Sequence, residues 1–427
     1  MPALIVLGAV GLAAVLIWID MTVDLAIAER WPLLFGAGAD GSRSLLTVVA
    51  SSMIMVAGVV FSITIVALSL TSSQYTSRVL GNFMRDRKNQ VVLGVFVGIF
   101  AYCLVVLRVI RGVEEGGFVP SLAVLAGLIL AFVGVGYLIF FIHYISISIQ
   151  SSSIVAKAAQ ETLIAVNHLF PKRLGDDDVE EDADSDLAMS HADQTWFAVP
   201  AQKTGYIESV DGDALLVLAC ERGTILRMER GVGEFVVEGI PLISVAGPGG
   251  PDDDTTDELN ASYVISPHRT MEQDAGFGIR QLVDIALKGL SPGINDTTTA
   301  TMCVDYLAAI HVRLASAKIG TAHRLDQGEL RVIARGPSFA SLLAEAFDQI
   351  RQNAAGNVAV LTRLLESLEI IAGQTANLRR RQALRQQAEL IVAVAERTIV
   401  SPHDREDVEA AMLRLSQVLA MEETTTP

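Results

Sequence analysis

The sequence predicts a four-span α-helical membrane protein with a cytoplasmic α+β region, a small β-barrel or sandwich followed by a helical bundle. Three observations carry this. Residues 45–70 form an uncharged run of 26 residues, long enough to cross a hydrocarbon core of ~30 Å. Charge divides the chain: residues 1–150 hold 8 basic and 7 acidic residues (8 − 7 = +1), whereas the rest holds 24 and 41 (24 − 41 = −17). Residues 195–246 alternate short β-branched runs with Gly and Asp at turn spacing, a strand-and-turn pattern.

The first predicted span is Ala3–Ile19, which ends at Asp20. No basic residue precedes it, and the Ala-Ile-Ala at 26–28 lies far beyond its apolar end. It therefore reads as a retained helix and not as a secretory signal. The second span, 45–70, carries a stripe: Ser51, Gly58, Ser62, Ser69, Ser73 and Thr76 fall within about 60° of one another at ~100° per residue. The third and fourth spans are 91–107 and 122–142, uncharged up to Arg108 and His143. The loop at 71–90 carries Arg78, Arg85, Arg87 and Lys88, and Lys157, Lys172 and Arg173 follow the last span. The positive-inside rule then puts both termini and everything after residue 143 in the cytoplasm.

Residues 143–170 contain no Pro or Gly, so the fourth helix is expected to continue outward. His143, Ser146, Gln150, Ser153 and Lys157 share one of its faces. The acidic linker that follows (171–194) holds 8 acidic residues in the 12 of 175–186 and reads as a solvated loop. The expected barrel occupies 195–247. Its GEFVVEGIPL (233–242) is similar to the repeat of biotinyl- and lipoyl-type barrels, but no Lys lies between Lys203 and Lys288 to carry a swinging arm. A second acidic linker, PDDDTTDEL, opens the remainder, 248–427. Helical periodicity marks 257–264, 273–289, 297–316, 338–353, 356–372, 375–398 and 404–420. VIARGP (332–337) is a short strand or a turn.

Composition excludes several functions. An acidic cytoplasmic part lacks the basic footprint of nucleic-acid binding. Cys103, Cys220 and Cys303 match no zinc spacing, and no other metal set or cofactor is indicated. There is no Walker A loop, no HExxH and no nucleophile elbow, so an enzyme is not expected. The one polar constellation is 266–300. Asp274, Gly278 and Gln281 lie on one helical face, and Arg280, Asp284 and Lys288 form an i, i+4 ladder on another. Asn295 and Asp296 precede a helix. As structure, these are surface ion pairs and caps. As function, His268, Arg269, Asp274 and Asn295 converge on a cytoplasmic ligand or a subunit contact.

SSQYTSRVLGNFMRDRKNQVVLGVFVGIFAYCLVVLRVIRG (72–112), TGYIESVD (204–211), GEFVVEGIPL and RTMEQDAGFGIRQLVDIALKGLSPGINDTTTA (269–300) resemble segments of a large bacterial family of predicted membrane proteins, domain of unknown function 2254. Thr297 stands where that family's pattern suggests Pro. The resemblance implies a location in the bacterial inner membrane and no activity. Two function classes follow from the residues. One is a homo-oligomeric channel-like conduit passing ions, with Ser51, Ser62, Ser69, Ser73, Thr76, His143, Ser146 and Gln150 along the path. The other is a membrane-anchored sensor or scaffold. The stripe fits both, since small hydroxylic faces line wet pores and also let helices pack closely.

Overall fold

The computed structural model describes residues 1–22, 38–74, 87–111, 118–170, 194–247, 249–319 and 323–421. Thr76, the basic residues Arg78 and Arg85, and nearly all of the acidic linker 171–194 fall outside these. The chain forms two compact units, Met1–Ser153 and Ile154–Pro427.

The first unit has four helices long and apolar enough to cross a membrane: α1 (Pro2–Thr22), α2 (Gly38–Gln74), α3 (Arg87–Val109) and α4 (Ser121–Ser148). α3 is central, with Val92, Phe96, Tyr102, Cys103 and Val106 fully buried. Small residues set the approaches, as expected where lipid supplies no hydrophobic drive between helices. A Cβ at Gly94 of α3 would lie 2.9 Å from Ile5 Cδ1, and one at Gly98 would lie 3.4 Å from Ala9 Cβ. A Cβ at Gly127 of α4 would lie 2.7 Å from Leu46 Cδ2, and one at Gly134 would lie 2.9 Å from the Met53 sulfur. The pairs 5/94 and 9/98, then 46/127 and 53/134, make α1 parallel to α3 and α2 parallel to α4.

Polar contacts fasten one end of this unit. Pro120 precedes α4 without a side-chain cap. Asp20, at the end of α1, accepts instead from the backbone N–H groups of Leu122 (3.3 Å) and Ala123 (3.1 Å). Arg43 donates to Ile110 O at 2.9 Å, and the Tyr102 hydroxyl donates to Ala123 O at 2.7 Å. At the other end the Lys88 ammonium sits 4.9 Å from the Tyr144 ring centroid.

The fourth helix does not run unbroken to residue 170. It stops at a turn around Ile149 and Gln150, and α5 (Ser151–Leu169) restarts beyond it. Ser146 Oγ donates back to Ile142 O at 2.7 Å, a bond that bends helices. The alternating Ile and Ser of 145–149 add β-branched stiffness at the same place.

In the second unit the expected barrel is replaced, among the described residues, by two open sheets. Strands β1 (Trp196–Pro200), β2 (Gly205–Val210), β3 (Leu226–Met228), β4 (Phe235–Val236), β5 (Pro241–Ala246), β6 (Tyr263–Ser266), β7 (Arg324–Asp326) and β8 (Glu329–Ile333) are ordered β1-β5-β3-β8-β7 and β4-β2-β6. Only β3–β8 is parallel. Two features prevent closure of 195–246 on itself. Residues 212–221, including Cys220, are helical (α6, Gly212–Glu221), with Asp211 capping Ala214 N and Leu215 and Ala219 buried at i, i+4. The neighbour of β3 comes from much later in the chain, with Leu226 opposite Val332. The run read as a strand or a turn at 332–337 thus begins inside β8. Val199, Ile207, Leu226, Leu242, Ile243 and Val332 form the shared core.

α7 (Asp253–Ala261) crosses the second acidic linker, capped by Asp252. The bundle comprises α8 (Ala275–Leu290), α9 (Thr297–Ala315), α10 (Phe339–Asn353), α11 (Val358–Ala372), α12 (Leu378–Thr398) and α13 (Pro402–Met421). These match the expected helices to within three residues at each end. Side chains of Asp274, Asp296, Ser338, Asn357 and Asn377 accept from the third residue beyond each, as N-caps do.

Candidate functional site

In the membrane unit α2 buries Met53, Ala57, Val60 and Ala67. Ser62 and Ser69 lie two positions beyond Val60 and Ala67, about 200° around the helix. Ser51, Gly58, Ser62 and Ser69 are accordingly exposed, and a Cβ at Gly58 would meet nothing within 4 Å. Among the described residues, these four positions of the stripe are not spent on packing. Ser73 belongs to α2 by its backbone. His143, Ser146 and Gln150 are also exposed. The α2–α4 pairing carries Ser62 to the level of His143 and Ser69 to the level of Gln150. Ser62 and His143 each follow a buried residue (Val60, Phe141) by two positions, so both turn away from the shared contact. The two polar faces share a level but do not meet inside one chain.

In the second unit the structure gathers part of the expected constellation. Asp274 caps α8 through Phe277 N at 3.0 Å and is 8% exposed. Arg269 grips it in a fork, Nε to Oδ2 at 2.8 Å and Nη2 to Oδ1 at 3.1 Å, and stands over the Phe277 ring at 5.6 Å. Burial works against the Arg269 charge, but bonded Asp274, with Glu345 and Tyr206, outweighs it and holds the guanidinium protonated. Bidentate pairs of this kind are the strong ones. Arg280 Nε meets Asp284 at 2.8 Å one turn further on. Gly278 and Gln281, on the Asp274 face, are buried. Thr162 of α5 fills the space a Gly278 side chain would need.

The rest does not converge. His268 is exposed, and its backbone carbonyl accepts from Ser266 Oγ at 2.6 Å. Asn295 and Asp296 follow the far end of α8, a helix of 16 residues and so ~24 Å long at ~1.5 Å per residue. Asn295 takes a left-handed backbone, φ 51°, and Asp296 caps α9 through Thr299 N at 3.0 Å. Both serve the turn between α8 and α9.

Two partners of Arg269 and Asp274 were invisible to sequence reading. Gly233, with φ +84°, lies so close that a side chain there would strike the Asp274 carboxylate. Glu345 of α10 brings Oε2 to 2.8 Å from where a Gly276 Cβ would be, beside Asp274 Oδ1 at 3.2 Å from the same point. Burial pushes the Glu345 carboxyl above the usual range; Arg269 and Arg280 oppose this, and Asp274 and Asp284 reinforce it. Gly233 and Glu345 are distant in sequence from 266–300, and no periodicity links them. The GVG at 231–233 was the one available signal.

Among the described residues no group of three or more His, Cys, Asp or Glu is placed to hold a metal. A surface cavity of about 250 Å³ lies between α12 and α13, with Val392, Ala395, Glu396, Val408, Glu409 and Met412 among its lining residues.

The family described as "Predicted membrane protein (DUF2254)" matches residues 1–370. The chain belongs to this family. An uncharacterized protein of Mycobacterium tuberculosis (strain ATCC 25618 / H37Rv) is 36% identical to this DUF2254 chain over 403 residues, covering 92% of it and 76% of the relative. One from Mycobacterium bovis has the same identity and coverage. No solved structure matches. For DUF2254 the resemblance stated from the motifs is thereby confirmed, and the membrane assignment agrees with the four candidate spans.

Proposed function

We propose that this DUF2254 protein is a homo-oligomeric, channel-like conduit of the bacterial inner membrane with a cytoplasmic regulatory region, acting without catalysis. One observation carries the reading: among the described residues, Ser51, Gly58, Ser62 and Ser69 of α2 face outward, away from the packed helices of their own unit. A small polar face left open in a bilayer needs a partner surface or water. A second copy supplies the first and, around a common axis, the second. His143 and Gln150 stand at the levels of Ser62 and Ser69, so they extend the polar zone near the cytoplasmic mouth. Hydroxyls offer dipoles without fixed charge, so selectivity is weak. The −17 of residues 151–427 raises local cation concentration and favours cations modestly, less so at high salt.

The test is ion flux in proteoliposomes. Wild type is expected to conduct above protein-free vesicles, and Ser69→Leu to abolish flux by drying the wall. Unchanged flux in Ser69→Leu, or silent wild type, sinks the conduit. Orientation is tested by placing a cysteine at position 253 and labelling intact cells. An impermeant reagent is expected to miss it, and labelling from outside would place the second unit on the wrong side.

The membrane-anchored sensor or scaffold has its own supporting observation. The half-buried charges at 269–284 with Glu345 are more than a salt-bridged surface requires. On that reading the membrane helices only anchor, and the second unit binds a ligand or protein partner.

A further inference from the structure

The charges around the start of α8 do not balance in pairs. Arg269 is committed to Asp274 and Arg280 to Asp284, at 2.8 Å each. Glu345 is the fifth charge and makes the set 2 − 3 = −1 when all are ionised. It is placed where three pieces of chain meet. α10 carries it; Gly276, in the first turn of α8, lies under its carboxylate; and the same Arg269–Asp274 pair packs against Gly233. Gly276 and Gly233 are the positions where a Cβ would collide with this network, so the carboxylates are held by close backbone approach.

We propose that Glu345 is the proton-binding element of a clasp that fastens loop 231–234 and the start of α8 to α10, tight when Glu345 carries a proton and loosened when it loses it. With the proton in place the five groups are neutral. Without it, two carboxylates crowd over Gly276 with one guanidinium nearby, an arrangement that like charges in a poorly solvated site disfavour. The groups facing Glu345 are Arg269, Asp274, Arg280 and Asp284. Tyr206 of β2 acts on Arg269. The other sides of α10 are occupied separately. Asp348 and Arg351 pair at 3.2 Å, with Gln387 of α12 also bonded to Asp348. His311 of α9 lies among Phe339 and Phe347. On α11, Arg363 is engaged with Asp305 of α9 and with Glu366.

The sign follows from linkage. The clasped carboxyl is raised above its ordinary value. The closed state therefore takes up a proton; its stability is complete below the ordinary carboxyl value and is lost as pH rises through the raised one. The clasp thus lies on the path by which the three-stranded sheet is coupled to the bundle. It does not depend on whether the membrane helices conduct.

Hydrogen exchange of the full chain in detergent, followed from about pH 5 to about pH 8 and corrected for the intrinsic rate, tests this. Amides of 231–236 and 274–280 are read against α12 as an internal reference. Wild type should lose protection in the clasp by up to about tenfold per pH unit between the ordinary carboxyl value and the raised Glu345 value, and level off above it, while α12 holds. Glu345→Gln should keep the low-pH protection throughout, and Glu345→Asp should retain the pH slope. Wild-type protection that does not change with pH, or a Glu345→Gln variant with the wild-type slope, overturns the clasp. Loss of α12 protection in Glu345→Gln would mean global unfolding, and the Glu345→Asp slope then decides.

Discussion

Replacing Arg380 with methionine is expected to cost about 3–5 kcal/mol of bundle stability, the scale for uncovering buried charged-group partners. The side chain is 3% exposed. Its guanidinium donates to Leu314 O at 3.2 Å, Ala315 O at 2.9 Å and Ala317 O at 3.0 Å, and stands over the Phe339 ring at 5.4 Å. These carbonyls lie at and just beyond the end of α9, where the helix dipole favours a cation; Leu314 O also accepts from Ala317 N at 3.1 Å, so the guanidinium adds to that cap. Methionine fills the volume and bonds none of them. Lysine keeps the charge but not the planar fork, so Arg380→Lys should fall between. Thermal unfolding of the detergent-solubilised protein reads this as a Tm fall of roughly 6–20 °C, taking about 2–4 °C per kcal/mol. A Met variant within about 1 °C of wild type would remove Arg380 from the list of structural residues.

Adding one methyl group at Gly278 is expected to separate α5 from α8. The new Cβ would lie 2.8 Å from Thr162 Cγ2 and 2.9 Å from its Cβ. Thr162 has no easy retreat, because its hydroxyl donates to Ala158 O at 2.7 Å. Overpacking of this kind costs about 1–3 kcal/mol, and contact with a Cβ, which no rotamer change can move, favours the upper end. The partner change gives the control. Thr162→Gly alone costs only about 0.3 kcal/mol in helix propensity, because Thr is itself a poor helix former, and adds the loss of a buried side chain. Combined with Gly278→Ala it should recover much of the loss, so the two are coupled in a double-mutant cycle. Simple addition of the two penalties would show that the fault lies elsewhere than at this contact.

Spans and bundle helices were legible because each carries its own signal: uncharged length in 45–70, and an Asp, Asn or Ser cap before an amphipathic run in the bundle. The β region was not, for two physical reasons. DALLVLACE at 213–221 is apolar enough to read as strand, and its helical state rests on a single cap at Asp211 and two buried positions. The pairing of Leu226 with Val332 joins segments that no local pattern relates. The break after Ser148 has only a weak mark in the sequence, the alternating Ile and Ser of 145–149, because the bond from Ser146 to the backbone is not specified by composition. For the candidate site, local spacing found Arg269, Asp274, Arg280 and Asp284. It also drew in Asn295 and Asp296, which the length of α8 carries away, and it had no means of reaching Glu345.

Asp20 has a consequence for how the chain is made. The acceptor for the first amides of α4 is synthesised 102 residues before Leu122, on a helix that also seats against Gly94 and Gly98 of α3. For four candidate spans inserted in chain order, the opening turn of α4 would arrive with no side-chain cap from its own sequence. It is sealed only when it swings against a helix inserted three spans earlier. Unsatisfied backbone amides in lipid cost several kcal/mol each, so this meeting gives the nascent bundle a reason to close last-against-first. The leading span is thus a template for the trailing one, and a generic hydrophobic leader of equal length would insert the chain without completing it.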